Sequence, residues 1–152
     1  MLPRKDSKGF TLIELLLVIA IIAILALVVI VALNPVKRLQ DARNARRYAD
    51  VDSILTSIHE YVIDNNGSLP AGVTATEQQL GTCVSGGATV CTTAAAACVD
   101  LSTPLAKYLK SIPIDPLGSA TTTYYSVVKD TNNIVTVKAC DAEDGATISI
   151  SR

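Results

Sequence analysis

The sequence has little of what enzymes commonly use for catalysis. It contains a single histidine, His59, and no tryptophan, and aromatic residues make up only 4% of the chain. It has no G-x-S-x-G segment, no phosphate-binding glycine loop and no metal-ligand spacing. A membrane-anchored enzyme would need a cleft with perturbed acids or bases, and the pattern indicates none. We therefore expect neither enzymatic activity nor a bound cofactor.

The stretch from Leu15 to Leu33 contains no charged residue, no glycine and no proline. A helix needs about 20 apolar residues to cross the hydrocarbon of a membrane, and this run is close to that length. The stretch is too long to be a core helix of so small a chain. It also exceeds the usual apolar region of a secretory signal peptide and is followed by no A-x-A cleavage pattern. An ordinary single-pass anchor fits the length but leaves Glu14, at its start, unexplained.

The residues around Glu14 form a recognisable sequence motif. A short basic leader ends in Lys8-Gly9, and Phe10-Thr11-Leu12-Ile13-Glu14-Leu15 then opens the apolar helix. This arrangement resembles the class III signal of type IV pilins and pseudopilins. The resemblance implies that a prepilin peptidase cleaves between Gly9 and Phe10 on the cytoplasmic side and that the new amino group is methylated. It also implies an α+β pilin fold, with a long N-terminal helix packed on a small antiparallel sheet.

The same resemblance implies a role for Glu14 in assembly. The carboxylate would offset the Phe10 ammonium of a neighbouring subunit, and two charges taken from water are tolerated better together than apart. Such a pair would also fix the register between subunits. Within one helix, however, Glu14 and Phe10 are four residues apart and could pair with each other. The sequence leaves both contacts open.

The charged residues are unevenly placed. The formal net charge is -1, and removal of a leader of net charge +2 would leave about -3. The remaining acids lie mostly beyond Tyr48, so an acidic head with few aromatics weighs against a nucleic-acid partner. Five bases just past the apolar run form what we call the basic collar, expected to contact lipid headgroups or acidic neighbouring subunits. They are Lys37, Arg38, Arg43, Arg46 and Arg47.

The sequence contains conflicting signals for the orientation in the membrane. A count of bases on the two flanks would place the head in the cytoplasm. Four cysteines in the head indicate an oxidising compartment, and the resemblance also puts the head outside. We expect a single-pass protein of the bacterial cytoplasmic (inner) membrane with its head outside. After assembly it would form an extracellular or periplasmic filament.

The pattern predicts four segments. Residues 1–9 form the leader, 10–34 the transmembrane and assembly helix, 35–66 an amphipathic continuation, and 67–152 the globular head. Pro35 predicts a kink or local unwinding. Apolar residues at spacings of three and four predict the helix face that packs on the sheet: Tyr48, Val51, Ile54, Leu55, Ile58, Tyr61 and Val62. The opposite face is expected to hold mostly Arg46, Arg47, Asp50, Ser53, Ser57, Glu60 and Asp64.

The head begins with a weakly apolar loop over residues 69–99, with a short helix expected near 93–97. Cys83, Cys91, Cys98 and Cys140 are expected to form disulfides, because the lone histidine and the absence of C-x-x-C disfavour zinc. The sequence does not choose among the three pairings.

Thr103 and Pro104 predict the start of a short helix with Thr103 as N-cap. It is followed by the turn Ile112-Pro113-Ile114-Asp115-Pro116, which resembles a segment of pseudopilins and related pilins. Residues 124–129, 134–140 and 146–150 predict three antiparallel strands. Acids in the last turn could hold calcium, although their spacing is not that of an EF-hand. They are Asp141, Glu143 and Asp144.

We expect a structural subunit of a type IV pilus-like filament that assembles with other pilins. Its other partners would be the prepilin peptidase, an inner-membrane assembly platform and, before assembly, membrane lipid. A pseudopilin of a type II secretion system is the main alternative. A DNA-uptake pilin and an anchored protein that never polymerises are further alternatives.

Overall fold

The chain has an α+β fold that combines a long N-terminal helix with a small antiparallel sheet. A computed structural model describes residues 9–152; the leader residues Arg4, Lys5, Asp6 and Lys8 lie outside the described part. The elements are α1 (Leu12–Leu33), α2 (Pro35–Asp64), β1 (Gln78–Gln79), α3 (Ser102–Leu105), β2 (Tyr125–Lys129), β3 (Val135–Ala139) and β4 (Ile148–Ser151). The chain divides into two compact units between Arg38 and Leu39, and each is described by itself.

The first unit contains α1, in which no residue is buried. The helix ends at Asn34, whose φ of 41° is left-handed, and helical structure resumes at Pro35. A residue before proline is disfavoured in the right-handed helical region, and asparagine tolerates the left-handed one. The Asn34 side chain then accepts a hydrogen bond from the Lys37 N–H at 3.4 Å. The predicted interruption at this point is confirmed.

The second unit is built on the face of α2 predicted to pack on the sheet. Val51, Ile54, Leu55 and Ile58 are all fully buried, whereas Tyr48, predicted on the same face, is 48% exposed. Each large aliphatic side chain removed from water in this way contributes roughly 1.5–3 kcal/mol. The sheet and the connecting segments complete the same core with Tyr125, Val127, Val135, Val137, Ile148, Leu80, Leu101 and Leu105.

The sheet is an antiparallel meander of four strands in the order β1-β2-β3-β4. The three predicted strands are confirmed, with each end within two residues of its predicted position. The sequence prediction missed β1, in which Gln78 pairs with Val127 and Gln79 with Ser126. Two residues are too few to show the alternation from which a strand is read.

Two local predictions in the head are wrong. Residues 93–97 form turns and no helix. The short helix α3 begins at Ser102, so Thr103 lies inside it and the N-cap Leu101 makes no side-chain cap. The carboxylate of Asp100 instead accepts a hydrogen bond from the Ser102 N–H at 2.8 Å. An aspartate bonding to the backbone two residues on competes with the expected threonine cap.

Two disulfides fasten the irregular part of the head. Cys83 pairs with Cys98 inside the loop, and Cys91 pairs with Cys140 at the end of β3. Their sequence separations are 15 and 49 residues. A cross-link of this kind typically contributes about 2–4 kcal/mol by constraining the unfolded chain. The Cys91–Cys140 disulfide therefore holds the loop to the sheet, and the Cys83–Cys98 disulfide cross-links two parts of the loop itself.

A fully buried arginine joins α2 to the head. The guanidinium of Arg47 donates two hydrogen bonds to Asp115, at 2.5 and 3.0 Å, and one to Glu143 at 2.8 Å. The hydrogen bonds to Asp115 raise the pKa of Arg47, which keeps it charged. Asp141 lies 3.4 Å from the same guanidinium, and burial raises the pKa of this carboxyl. We call these four residues the Arg47 cluster.

Neighbouring residues of α2 extend the Arg47 cluster. Arg43 donates two hydrogen bonds of 2.6 Å to Glu143. Asn44 bonds the Glu143 backbone in both directions, at 2.9 and 3.1 Å. Fork-shaped arginine–carboxylate pairs of this kind are the strongest and most directional of protein hydrogen bonds. They fix the turn at Asp115 and the loop after β3 against the helix.

Two expectations about α2 are wrong, the outward position of two residues and the exposure of the whole basic collar. Arg47 and Ser57 were assigned to the face away from the core, yet they are 0% and 4% exposed. Ser57 satisfies its hydroxyl by donating to the Ser53 carbonyl at 2.8 Å. Arg43 and Arg47, two of the five collar bases, are occupied by carboxylates of the head. A periodicity of apolar residues cannot identify a charged side chain that is buried with its partners.

We expect Arg47→Met to lower the free energy of unfolding by about 3–5 kcal/mol, because Asp115 would stay buried without its partner. Arg46→Met is the matched control. The Arg46 side chain is 60% exposed and lies 3.6 Å from Asp50, so its loss should cost less than about 1 kcal/mol. Urea unfolding of the full chain in non-ionic detergent measures both. Equal stability of the two variants would contradict this account of the cluster.

The cluster also predicts an acid dependence. Hydrogen bonds from Arg43 and then Arg47 lower the pKa of Glu143 from 4.5 to about 2. Since the pKa is lower in the folded state, the stability from this carboxylate is complete above 4.5 and is lost as the pH falls towards 2. Glu143→Gln should therefore flatten the fall of the urea midpoint over that range. Glu60→Gln, at an exposed site, should keep the parent's pH dependence; an unchanged Glu143→Gln profile would refute the assignment.

Candidate functional site

The first turn of α1 holds the carboxylate that the sequence singled out. Thr11 is the N-cap, and Glu14 stands three residues later. The Glu14 carboxylate accepts hydrogen bonds from the Thr11 N–H at 2.9 Å and from its hydroxyl at 2.7 Å. The Thr11 oxygen in turn accepts from the Glu14 N–H at 3.3 Å. This reciprocal capping box satisfies donors that a helix N-terminus otherwise leaves free.

The capping box adds a third contact to the two that the sequence left open. Glu14 bonds to Thr11 in this chain, whereas the sequence indicated only Phe10 of the same or a neighbouring subunit as its partner. The T-x-x-E spacing of Thr11 and Glu14 is a recognised signature of such a box, so the signal was available. A carboxylate at this position also interacts favourably with the positive end of the helix dipole. Glu14 therefore has a local role before any second chain is present.

The residues just before the helix are open to their surroundings. Gly9 and Phe10 lie in no regular element, and Phe10 is 79% exposed. Within the described residues, and leaving aside Gly9 and its chain neighbours, no atom lies within 4 Å of the position that a Cβ on Gly9 would occupy. The two residues that flank this peptide bond are therefore both exposed.

The apolar surface that follows is continuous. Every residue of α1 is exposed, and its large side chains are between 44% and 78% exposed. Within residues 9–152, one helical stretch is long and apolar enough to cross a membrane, and its most apolar 18 residues have a mean hydropathy of 3.6 and no burial. Soluble proteins rarely leave apolar patches larger than a few hundred Å² uncovered. The surface requires lipid or another protein chain against it.

The acids once considered for calcium are arranged differently. Glu143 is bound by Arg43 and Arg47, and Asp141 faces the same Arg47 guanidinium. Across the described residues 9–152, no group of three or more Asp, Glu, His or Cys side chains could hold a metal ion. Asp144 has a left-handed backbone, with φ of 56°, and forms part of the turn. The Arg47 guanidinium occupies the position beside Asp141 and Glu143 that a calcium ion would take, and we do not retain the calcium alternative.

Comparison with known proteins gives one match. The model of the prokaryotic N-terminal methylation motif matches residues 4–30. No curated protein and no solved structure shows significant similarity to the chain. The match coincides with the leader, the capping box and most of the uncovered apolar helix, and it indicates a structural subunit. The chain thus carries the class III signal of type IV pilins and pseudopilins, which supports a membrane-anchored precursor of the pilin-like or pseudopilin type.

Proposed function

We propose that this protein is a structural subunit of a type IV pilus-like filament. The observation that carries the proposal is an apolar helix with no buried residue and a single carboxylate at its first turn. In the membrane, lipid would cover this surface. In a filament, the same helices of neighbouring subunits would cover it, with other pilins as the partners.

Maturation would begin at the bond between the exposed residues Gly9 and Phe10. A prepilin peptidase would remove residues 1–9, and the freed amino group of Phe10 would be methylated. Glycine leaves room at the scissile bond for an enzyme to approach, since it has no side chain. The product would begin one residue before the Thr11 cap, so the helix would keep its N-terminal hydrogen bonds.

Cleavage would also create the charge that Glu14 is placed to offset. The Phe10 ammonium would enter an apolar bundle, where an unpaired ion costs several kcal/mol. Glu14 of an adjacent subunit supplies the opposite charge. Its bonds to Thr11 hold the carboxylate in place near the helix start.

Each segment of the mature protein would then have its own role in assembly. Residues 10–34 would serve as anchor and later as filament core, residues 35–66 as a stalk carrying the sheet on one face, and residues 67–152 as the head. The protein would cross the inner membrane once, with its head outside, because disulfides persist in an oxidising compartment. An assembly platform in that membrane would extract the subunit.

We expect Glu14→Ala to reduce the yield of sheared filaments by more than about tenfold, because it leaves a buried ammonium unpaired at a cost of about 3–5 kcal/mol. The amount of protein in the membrane should stay the same. Glu60→Ala, at an exposed site of α2, is the matched control and should assemble normally. Filaments of Glu14→Ala at the parent's level would overturn the proposal.

The location of the filaments decides between the two systems that share this signal. Long surface fibres containing the parent chain would support a pilus. A pseudopilin would instead give short periplasmic assemblies, and its deletion would block export of secreted proteins. Salt-sensitive DNA retention, weakened on replacing Arg38, would point to a DNA-uptake fibre.

A further inference from the structure

A cavity of about 440 Å³ lies in the head, where the end of α2 meets the β2–β3 hairpin. Its volume is within the range of about 300–1,000 Å³ typical of small-ligand sites. The polar side chains that line it are His59, Lys129 and Asn133. The remaining lining consists of Val62, Gly67, Leu69, Pro70, Ala71, Gly72, Val73 and Val135.

The charge that lines this cavity is positive and comes from Lys129. Among its eleven lining residues, all within the described chain, none is acidic. The Lys129 ammonium donates to the Asn133 side-chain oxygen at 3.0 Å, which leaves the Asn133 amide nitrogen available as a second donor. A cationic ammonium beside an amide N–H is suited to an anion. A carboxylate can accept from both groups at once.

The walls of the cavity are held by backbone hydrogen bonds. Gly67 N–H donates to the Val62 carbonyl at 2.8 Å, and Val73 N–H donates to the Pro70 carbonyl at 3.1 Å. The Lys129 N–H donates to the Thr74 carbonyl at 2.9 Å, which ties the hairpin to the same segment. A pre-formed site loses little conformational freedom when a ligand binds.

Two other cavities of the head give no such preference for an anion. One of about 310 Å³ is lined by both Asp100 and Lys110, so its charges do not select a sign. Another contains Lys138, whose ammonium already pairs with Glu77 at 2.9 Å. The cavity at His59 and Lys129 combines a lining without acidic residues with partly apolar walls.

We propose that this cavity binds a carboxylate carried on a branched aliphatic chain. Lys129 and Asn133 hold the carboxylate, and Val62 and Leu69 cover the hydrocarbon. Two sources share this chemistry: a free short-chain acid and the C-terminal leucine of a peptide. The inference does not depend on filament assembly.

The single histidine makes the test specific. In the full chain in non-ionic detergent, a ¹³C label on histidine reports only on His59. We expect 4-methylpentanoate, added at constant pH, to shift this signal saturably. Titration to about 20 mM exceeds the dissociation constant of roughly 1 mM expected for a ligand of this size. 4-Methylpentanamide, its uncharged counterpart, controls for partition into the detergent.

We expect the amide to bind about threefold to fivefold more weakly than the acid, the loss typical of one exposed ion pair. Lys129→Gln should weaken binding of the acid by the same factor. Lys110→Gln, in the other cavity, should leave it unchanged. A free N-acetyl-Ala-Leu carboxylate that binds more tightly than 4-methylpentanoate identifies a peptide terminus, and the reverse identifies a small acid.

Three results would each overturn the proposal. They are the absence of a saturable His59 shift, equal binding of acid and amide, and a Lys129→Gln variant that binds like the parent.

Discussion

The apolar surface of α1 has to be covered, and residues 9–152 bury none of it. Burial of apolar area contributes about 25 cal/mol per Å², so a helix uncovered on every face is strongly driven towards lipid or another chain. A second constraint lies at its start, where the only carboxylate of the helix is held by Thr11. An anchor alone would need the apolar surface and not the acid. The proposed filament accounts for both, because assembly replaces lipid with like helices and brings a new ammonium to each carboxylate.

In the head, charged side chains and not an apolar surface determine how the segments are held together. Its core is small, and the polar side of α2 is fixed to two irregular segments by the Arg47 cluster and not by apolar packing. A buried ion pair is poor evidence of added stability, since its desolvation offsets much of its attraction. Its value here is directional: fork-shaped bonds define one position for the Asp115 turn and one for the Glu143 loop. The Cys91–Cys140 disulfide holds the same end of β3 and so supports that geometry.

Periodic features of the sequence predicted much of this structure. The apolar run, the interruption at Pro35, the packing face of α2 and three strands all follow from spacing and from proline geometry. The two-residue β1, the start of α3 and the burial of Arg47 were missed or wrong, because each depends on partners distant in sequence. Asp115 is 68 residues from Arg47, and no local pattern reports such a pair. The capping box at Thr11 differs from these, because its T-x-x-E signature is local and is sufficient to predict it from the sequence.

Intact-mass spectrometry of this protein, recovered from filaments sheared from its host, tests the central claim most directly. The account predicts a polypeptide that begins at Phe10, carries one added methyl group on its amino terminus and retains both disulfides. Absence of the protein from the sheared material, together with a membrane-bound polypeptide that still begins at Met1, would contradict it.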